Sequence, residues 1–114
     1  MAEETEPIPP NAFFIVDGIK FYPLVKAVIS IGRRLENDLV IDDRRVSRNH
    51  ARLRAIEGHY VLLDLNSTGG TFVNGNRVSE TILYPNDTIS LGGVKLTFQQ
   101  DNPPPRKDLI DTIR

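Results

Sequence analysis

Three short clusters in this chain combine residue types suited to holding an anion: Gly32-Arg33-Arg34, Val46-Ser47-Arg48-Asn49-His50, and Asn66-Ser67-Thr68-Gly69-Gly70-Thr71 with Asn74-Gly75 close behind. Arginine offers a planar fork of donors, and its charge-assisted hydrogen bonds are about twice as strong as neutral ones. Serine and threonine hydroxyls add short, directional donors without adding charge. Successive amides in a Gly-Gly turn can point one way and form a nest for an anion. Brought together by folding, these groups make a cup suited to a doubly charged phosphate. Such binding needs no metal, no cofactor and no bond breaking.

Other chemistries fit the same residues less well. Ser47, His50 and several aspartates invite comparison with a hydrolase triad, but Ser47 has none of the strand-to-helix elbow of G-x-S-x-G enzymes. His50 and His59 lack a third ligand at zinc-binding spacing. His59, in Gly58-His59-Tyr60, reads as a surface turn residue. With no cysteine in the chain, disulfides, thiolate metal sites and a cysteine nucleophile are excluded. Asp42-Asp43 reads as a loop pair, solvated or paired with Arg44 and Arg45. Arg34 reads as a solvated surface charge, Gly69 and Gly70 as positions set by backbone geometry, and Asn74-Gly75 first as a hairpin turn.

The elements that position these clusters are short strands. Turn signals recur at Asp17-Gly18, Glu57-Gly58, Gly69-Gly70, Asn74-Gly75, Pro85-Asn86 and Gly92-Gly93, leaving little room for helices. Between them lie AFFIV, KFYPL, KAVISI, DLVI, HARLRAI, YVLLDL, TFV, TISL and VKLTF, rich in β-branched and aromatic residues. In HARLRAI, Ala51, Leu53 and Ala55 can face a core while Arg52 and Arg54 face water. The expectation is an all-β fold: a β-sandwich of two antiparallel sheets with about 10 to 11 short strands and the binding loops at one end.

The 114 residues suffice for a single core. Residues 1–11, with three glutamates and three prolines, read as a flexible acidic tail, 12–99 as the domain, and 100–114 as a Pro-rich tail whose DLIDTIR could form a short helix. The composition, 39% hydrophobic and 25% charged, is that of a soluble protein. No apolar run approaches the roughly 18 to 20 residues of a membrane span. The acidic N-terminus does not resemble an export signal, so a cytoplasmic location with no membrane partner is expected. The net charge of −1 gives no general attraction to nucleic acid, although arginines crowd residues 33–54. That stretch lacks interleaved aromatics, and nucleic-acid binding is not expected.

The string IGRRLENDLVIDD, VSRNHARL and DLNSTGGTFVNG resembles the forkhead-associated (FHA) signature, with four separated elements in register across about residues 12 to 99. The resemblance implies a non-enzymatic phosphothreonine-binding module. By position, Arg33 and Ser47 match phosphate contacts, and Arg48 matches a neighbour that often helps. Thr68 matches the turn threonine that contacts the phosphate or the phosphothreonine backbone. Arg45 matches a position that in some relatives reads the side chain three residues after the phosphothreonine, implying a preference for an acidic residue there. His50 matches a bracing histidine, and Asn74 an asparagine that ties loops together near the peptide. Gly32, Ser67, Gly70 and Gly75 are supporting positions of the same motifs. Gly69 departs from the pattern: family members commonly carry asparagine there, gripping the peptide backbone just past the phosphothreonine. Its loss removes about 1 to 2 kcal/mol, or about tenfold to thirtyfold in affinity. Water or Ser67 could fill the place.

The reading is therefore phosphothreonine-dependent recognition of another protein in Ser/Thr kinase signalling, with no cofactor. The alternative is a phosphate-independent interaction through another face of the same sandwich. Thr5 and Thr112, on the two tails, are candidate phosphorylation sites through which the domain could bind its own or a neighbour's tail. A tether gives a local concentration of about millimolar, enough to saturate a site of about micromolar affinity.

Overall fold

The computed structural model describes residues 7–103; the possible helix at 108–114 and the threonines at positions 5 and 112 lie outside the described residues. The described chain forms strands β1 (Phe13–Val16), β2 (Lys20–Pro23), β3 (Val28–Gly32), β4 (Leu39–Val40), β5 (Ala51–Ile56), β6 (His59–Asp64), β7 (Thr71–Val73), β8 (Asn76–Arg77), β9 (Glu80–Ile82), β10 (Thr88–Leu91) and β11 (Val94–Gln99). They build one sheet in the order β2-β1-β11-β10-β7-β8 and a second in the order β4-β3-β5-β6-β9.

Alternation explains the layering. In β5, Ala51, Leu53 and Ala55 are buried while Arg52 and Arg54 are exposed, as the sequence pattern requires. Inward residues of both sheets meet in one core that includes Phe14, Leu24, Ile29, Ile31, Leu53, Leu62, Ile89, Leu91 and Phe98. Tyr60 lies fully buried among them, its ring edge-on to Phe98. Its hydroxyl donates to the Lys26 carbonyl at 2.7 Å, satisfying the polar end, and burial pushes its pKa up to about 12.

Tight hairpins close three strand pairs. Glu57-Gly58, Asn74-Gly75 and Gly92-Gly93 each place two successive residues at positive φ, the geometry that matches a two-residue loop to strand twist. His59 lies beyond such a turn: it is the first residue of β6, half-buried and opposite Ile56.

Two features depart from the sequence expectation. The β3–β4 pair is parallel, with Ile31 opposite Leu39 and Gly32 opposite Val40. Polar anchors fold the intervening loop back along β3: Asp38 accepts from Ser30 N–H and Oγ–H, and Asn37 Nδ2 donates to the carbonyls of Arg34 and Arg48. Strands β8 and β9 have no counterpart among the apolar runs, because Asn76-Arg77 and Glu80-Thr81 carry no apolar alternation and are held by pairing to neighbours.

At the two ends of the described chain, Asp101 N–H donates to the Pro10 carbonyl at 2.9 Å, and Asn11 Nδ2 donates to the Asp101 carboxylate at 2.7 Å. Pro9 and Ala12 are buried beside this junction.

Candidate functional site

The site is assembled by tying three loops together. Gly32, at the end of β3, permits the closest approach: a Cβ there would lie 2.2 Å from the Arg48 carbonyl oxygen. Across that approach Arg33 N–H donates to Ser47 C=O at 3.0 Å and Arg34 N–H to Arg48 C=O at 3.2 Å. The Arg33 side chain is then aimed by its own Nε, which donates to Val46 C=O at 3.0 Å.

His50 joins the second loop to the third. Its Nδ1 accepts from Ser47 N–H at 3.0 Å, and its Nε2 lies 3.0 Å from the Gly70 carbonyl. An amide can only donate and a carbonyl can only accept, so the ring is neutral with its proton on Nε2. Burial lowers the pKa of His50, more than the Gly70 carbonyl and the Asp64 charge raise it.

The third loop is wound around Asp64. Ser67 Oγ–H and Thr71 Oγ1–H both donate to Asp64 Oδ1, and Ser67 N–H donates to Oδ2. Desolvation alone would raise the Asp64 pKa, but these hydrogen bonds outweigh it and the net shift is downward. Ser67 Oγ also accepts from Gly70 N–H at 3.0 Å. Thr68, at the tip, turns its N–H to Ser47 Oγ at 3.0 Å.

The result is a hollow of about 390 Å³ lined by Arg33, Arg44, Arg45, Val46, Ser47, Thr68, Gly69 and Gly92. It brings the expected Arg33, Ser47, Thr68 and Gly69 together, with Gly32, His50, Ser67 and Gly70 holding the loops behind them. Ser47 Oγ accepts one amide and keeps its own proton to donate into the hollow.

The remaining expected site residues are placed differently. Ser67 cannot fill the place left by Gly69, because its hydroxyl is held by Asp64 and Gly70. The Arg48 side chain is exposed and does not line the hollow; its backbone carbonyl is what the site uses. Asn74 and Gly75 form the turn at the far end of β7. There Asn74 bonds to Asp87 and Thr88, at the start of β10, whereas the hollow lies at that strand's other end, by Gly92. In this structure they serve as hairpin and strand anchors and do not line the hollow. Arg45 lines the hollow but is already paired: Nε and Nη2 donate to Asp43 Oδ1 and Oδ2 at 2.9 and 2.8 Å. That guanidinium pulls the Asp43 pKa down to about 2.

Three lining residues carry no site signal in the sequence: Arg44, Val46 and Gly92. Sequence pattern marks Arg44 only as one of the clustered arginines beside two aspartates, Val46 only as the apolar neighbour of Ser47, and Gly92 only as part of a turn. A Cβ on Gly92 would lie 2.0 Å from the Arg45 carbonyl, and a Cβ on Gly69 would lie 2.9 Å from Gly92 Cα, so the β10–β11 turn packs bare backbone against both loops.

A second hollow, of about 470 Å³ and apolar, lies at the β1–β2 edge between Ile8, Pro9, Phe13, Phe21, Pro23 and Val25. No helix among the described residues is long and apolar enough to cross a membrane.

A small two-sheet sandwich whose loops at one end form an arginine- and hydroxyl-lined hollow defines a class of anion-recognising interaction modules. Residues 29–92, more than half the chain, match the FHA domain family, and the chain belongs to that family. It is similar to the glycogen accumulation regulator GarA of Mycobacterium tuberculosis, 32% identical over 82% of this chain and 60% of that protein. A solved domain studied for phosphothreonine-dependent FHA interactions superposes with a TM-score of 0.74 at 32% identity, covering 78% of this chain and 95% of that one. The FhaA FHA domain, solved in complex with the intracellular domain of Rv3910, gives 0.73 at 32% identity, covering 77% and 99%. The chain spans from about a tenth to three fifths of the curated relatives it matches.

Proposed function

We propose that this chain is a non-catalytic, cytoplasmic module that binds phosphothreonine-bearing proteins in Ser/Thr kinase signalling. The carrying observation is the hollow in which the Arg33 guanidinium, the Ser47 hydroxyl and the Thr68 tip converge. Arg33 supplies charge, Ser47 a donated hydrogen bond, and Thr68 a contact from the loop joined to Ser47. Arg48, next to Ser47 in sequence and exposed, is a candidate helper. The relatives named above, one of them studied for phosphothreonine-dependent interactions, support the choice of ligand. Affinity on the order of micromolar suits one to three charge-assisted contacts.

The test is calorimetry with an oriented phosphothreonine peptide library and with unphosphorylated and phosphoserine versions of the selected peptide. Phosphorylation should raise affinity at least about tenfold, and phosphothreonine should exceed phosphoserine. A change of less than a few-fold on phosphorylation contradicts the reading. Peptides carrying the phosphorylated threonines of positions 5 and 112 belong in the same series, as candidate ligands from the chain itself.

One observation favours a second, phosphate-independent reading: the apolar hollow beside β2, where Phe21 on that edge strand is 58% exposed and Val25, just past its end, is 69% exposed. Phe21→Glu abolishing partner capture while Arg33→Ala leaves it intact supports this second reading.

A further inference from the structure

Arginines 44 and 45 are adjacent in sequence, both exposed, and both line the hollow, yet their electrostatic situations differ. Arg45 holds Asp43 with three donors: its backbone N–H and Nε on Oδ1, each at 2.9 Å, and Nη2 on Oδ2 at 2.8 Å. The side-chain pair is the two-point fork that an arginine would otherwise offer to a ligand carboxylate. Asp17 adds a second negative charge acting on the same guanidinium. The Arg45 side chain also packs over the β10–β11 turn, its Nη1 lying 3.1 Å from where a Cβ on Gly93 would stand. Arg44 forms no ion pair among the described residues.

We propose that Asp43 occupies Arg45 as a built-in substitute for a ligand carboxylate, and that Arg44 is the residue through which the site prefers an acidic side chain near the phosphothreonine. This rests on the phosphothreonine reading and reverses the role that family position assigns to Arg45. A carboxylate approaching Arg45 must displace one already seated in its fork. One approaching Arg44 meets a solvated, uncommitted cation at the rim of the same hollow.

The test uses a phosphothreonine peptide in which aspartate or alanine is placed in turn at each flanking position, measured by fluorescence anisotropy against the intact chain. At one position the wild type should prefer aspartate by about two- to fivefold, the range of an exposed ion pair. Arg44→Ala should remove that preference, lowering aspartate-peptide affinity more than alanine-peptide affinity, and Arg45→Ala should retain it. Asp43→Asn should increase the acidic preference, by freeing a second fork. Loss of the preference in Arg45→Ala but not in Arg44→Ala overturns the proposal. So does an Arg44→Ala loss of equal size for aspartate and alanine peptides, which would make Arg44 a phosphate ligand, or a wild type with no acidic preference at any position. Failure of every phosphopeptide to bind the wild type overturns the phosphothreonine reading itself and this inference with it.

Discussion

The Thr68 amide donates to Ser47 Oγ across 21 residues of sequence, joining the two loops that bring Ser47 and Thr68 to the hollow. Ser47 thus has two tasks: it fixes the tip of the third loop, and it keeps a hydroxyl proton for a ligand oxygen. Ser47→Ala should lower phosphopeptide affinity by about tenfold to a hundredfold, the range for a hydrogen bond to a charged group, and stability by about 1 kcal/mol. Arg33→Ala should match the affinity loss without the stability loss, because its side chain is exposed. Calorimetry paired with urea unfolding separates the two effects.

His50 is fully buried and bonds through both ring nitrogens. His50→Ala leaves the Ser47 amide and the Gly70 carbonyl without partners and opens a cavity. A loss of about 3 kcal/mol is expected. A urea midpoint unchanged from wild type would show that the ring does not bolt the loops.

The same ring sets a pH dependence. Unfolded histidine titrates near 6.5, and burial lowers the folded value. Between the two values the unfolded chain holds more protons, so acid favours unfolding. The His50 contribution should be complete above pH about 6.5 and fall as the pH drops through the window beneath it. Asp64, also lowered in the folded state, adds a further loss at more acid pH, below the ordinary carboxylate range. Melting temperatures between pH 7.5 and 5.5 should fall in the wild type; a flat profile contradicts the assignment.

Gly69 faces Gly92 Cα so closely that a Cβ would lie 2.9 Å away. Gly69→Ala should cost about 1 to 3 kcal/mol by overpacking. Restoring the family's asparagine at this position should carry the same stability cost, so the missing grip on the peptide is coupled here to the packing of the β10–β11 turn. Chemical denaturation of both variants measures it; a cost below about 0.3 kcal/mol would show that the turn yields freely.

Much of this architecture is legible in the residues. Alternation in Ala51–Ile56 predicts the buried face of β5, and Asn74-Gly75 predicts its hairpin. Strands β8 and β9 are not legible, since pairing with β7 and β6, not local pattern, makes them strands. Within the hollow, Arg33, Ser47 and Thr68 follow from motif spacing. Motif spacing does not tell a binding position from a folding one, and so it groups Asn74 with the site although Asn74 anchors the far end of β7. Nor does it register what a side chain already holds: the Asp43 fork on Arg45 and the uncommitted state of Arg44 exist only in three dimensions.

The central claim, that phosphothreonine is held in the hollow between Arg33, Ser47 and Thr68, is tested most directly by titrating the ¹⁵N-labelled chain with a phosphothreonine peptide and its unphosphorylated twin. The phosphopeptide should shift the amides of Arg33, Ser47, Thr68, Gly69 and Gly92 together with the Arg33 Nε–H, and the twin should not. Shifts centred on Phe13, Phe21 and Val25, or equal shifts from the two peptides, would contradict it.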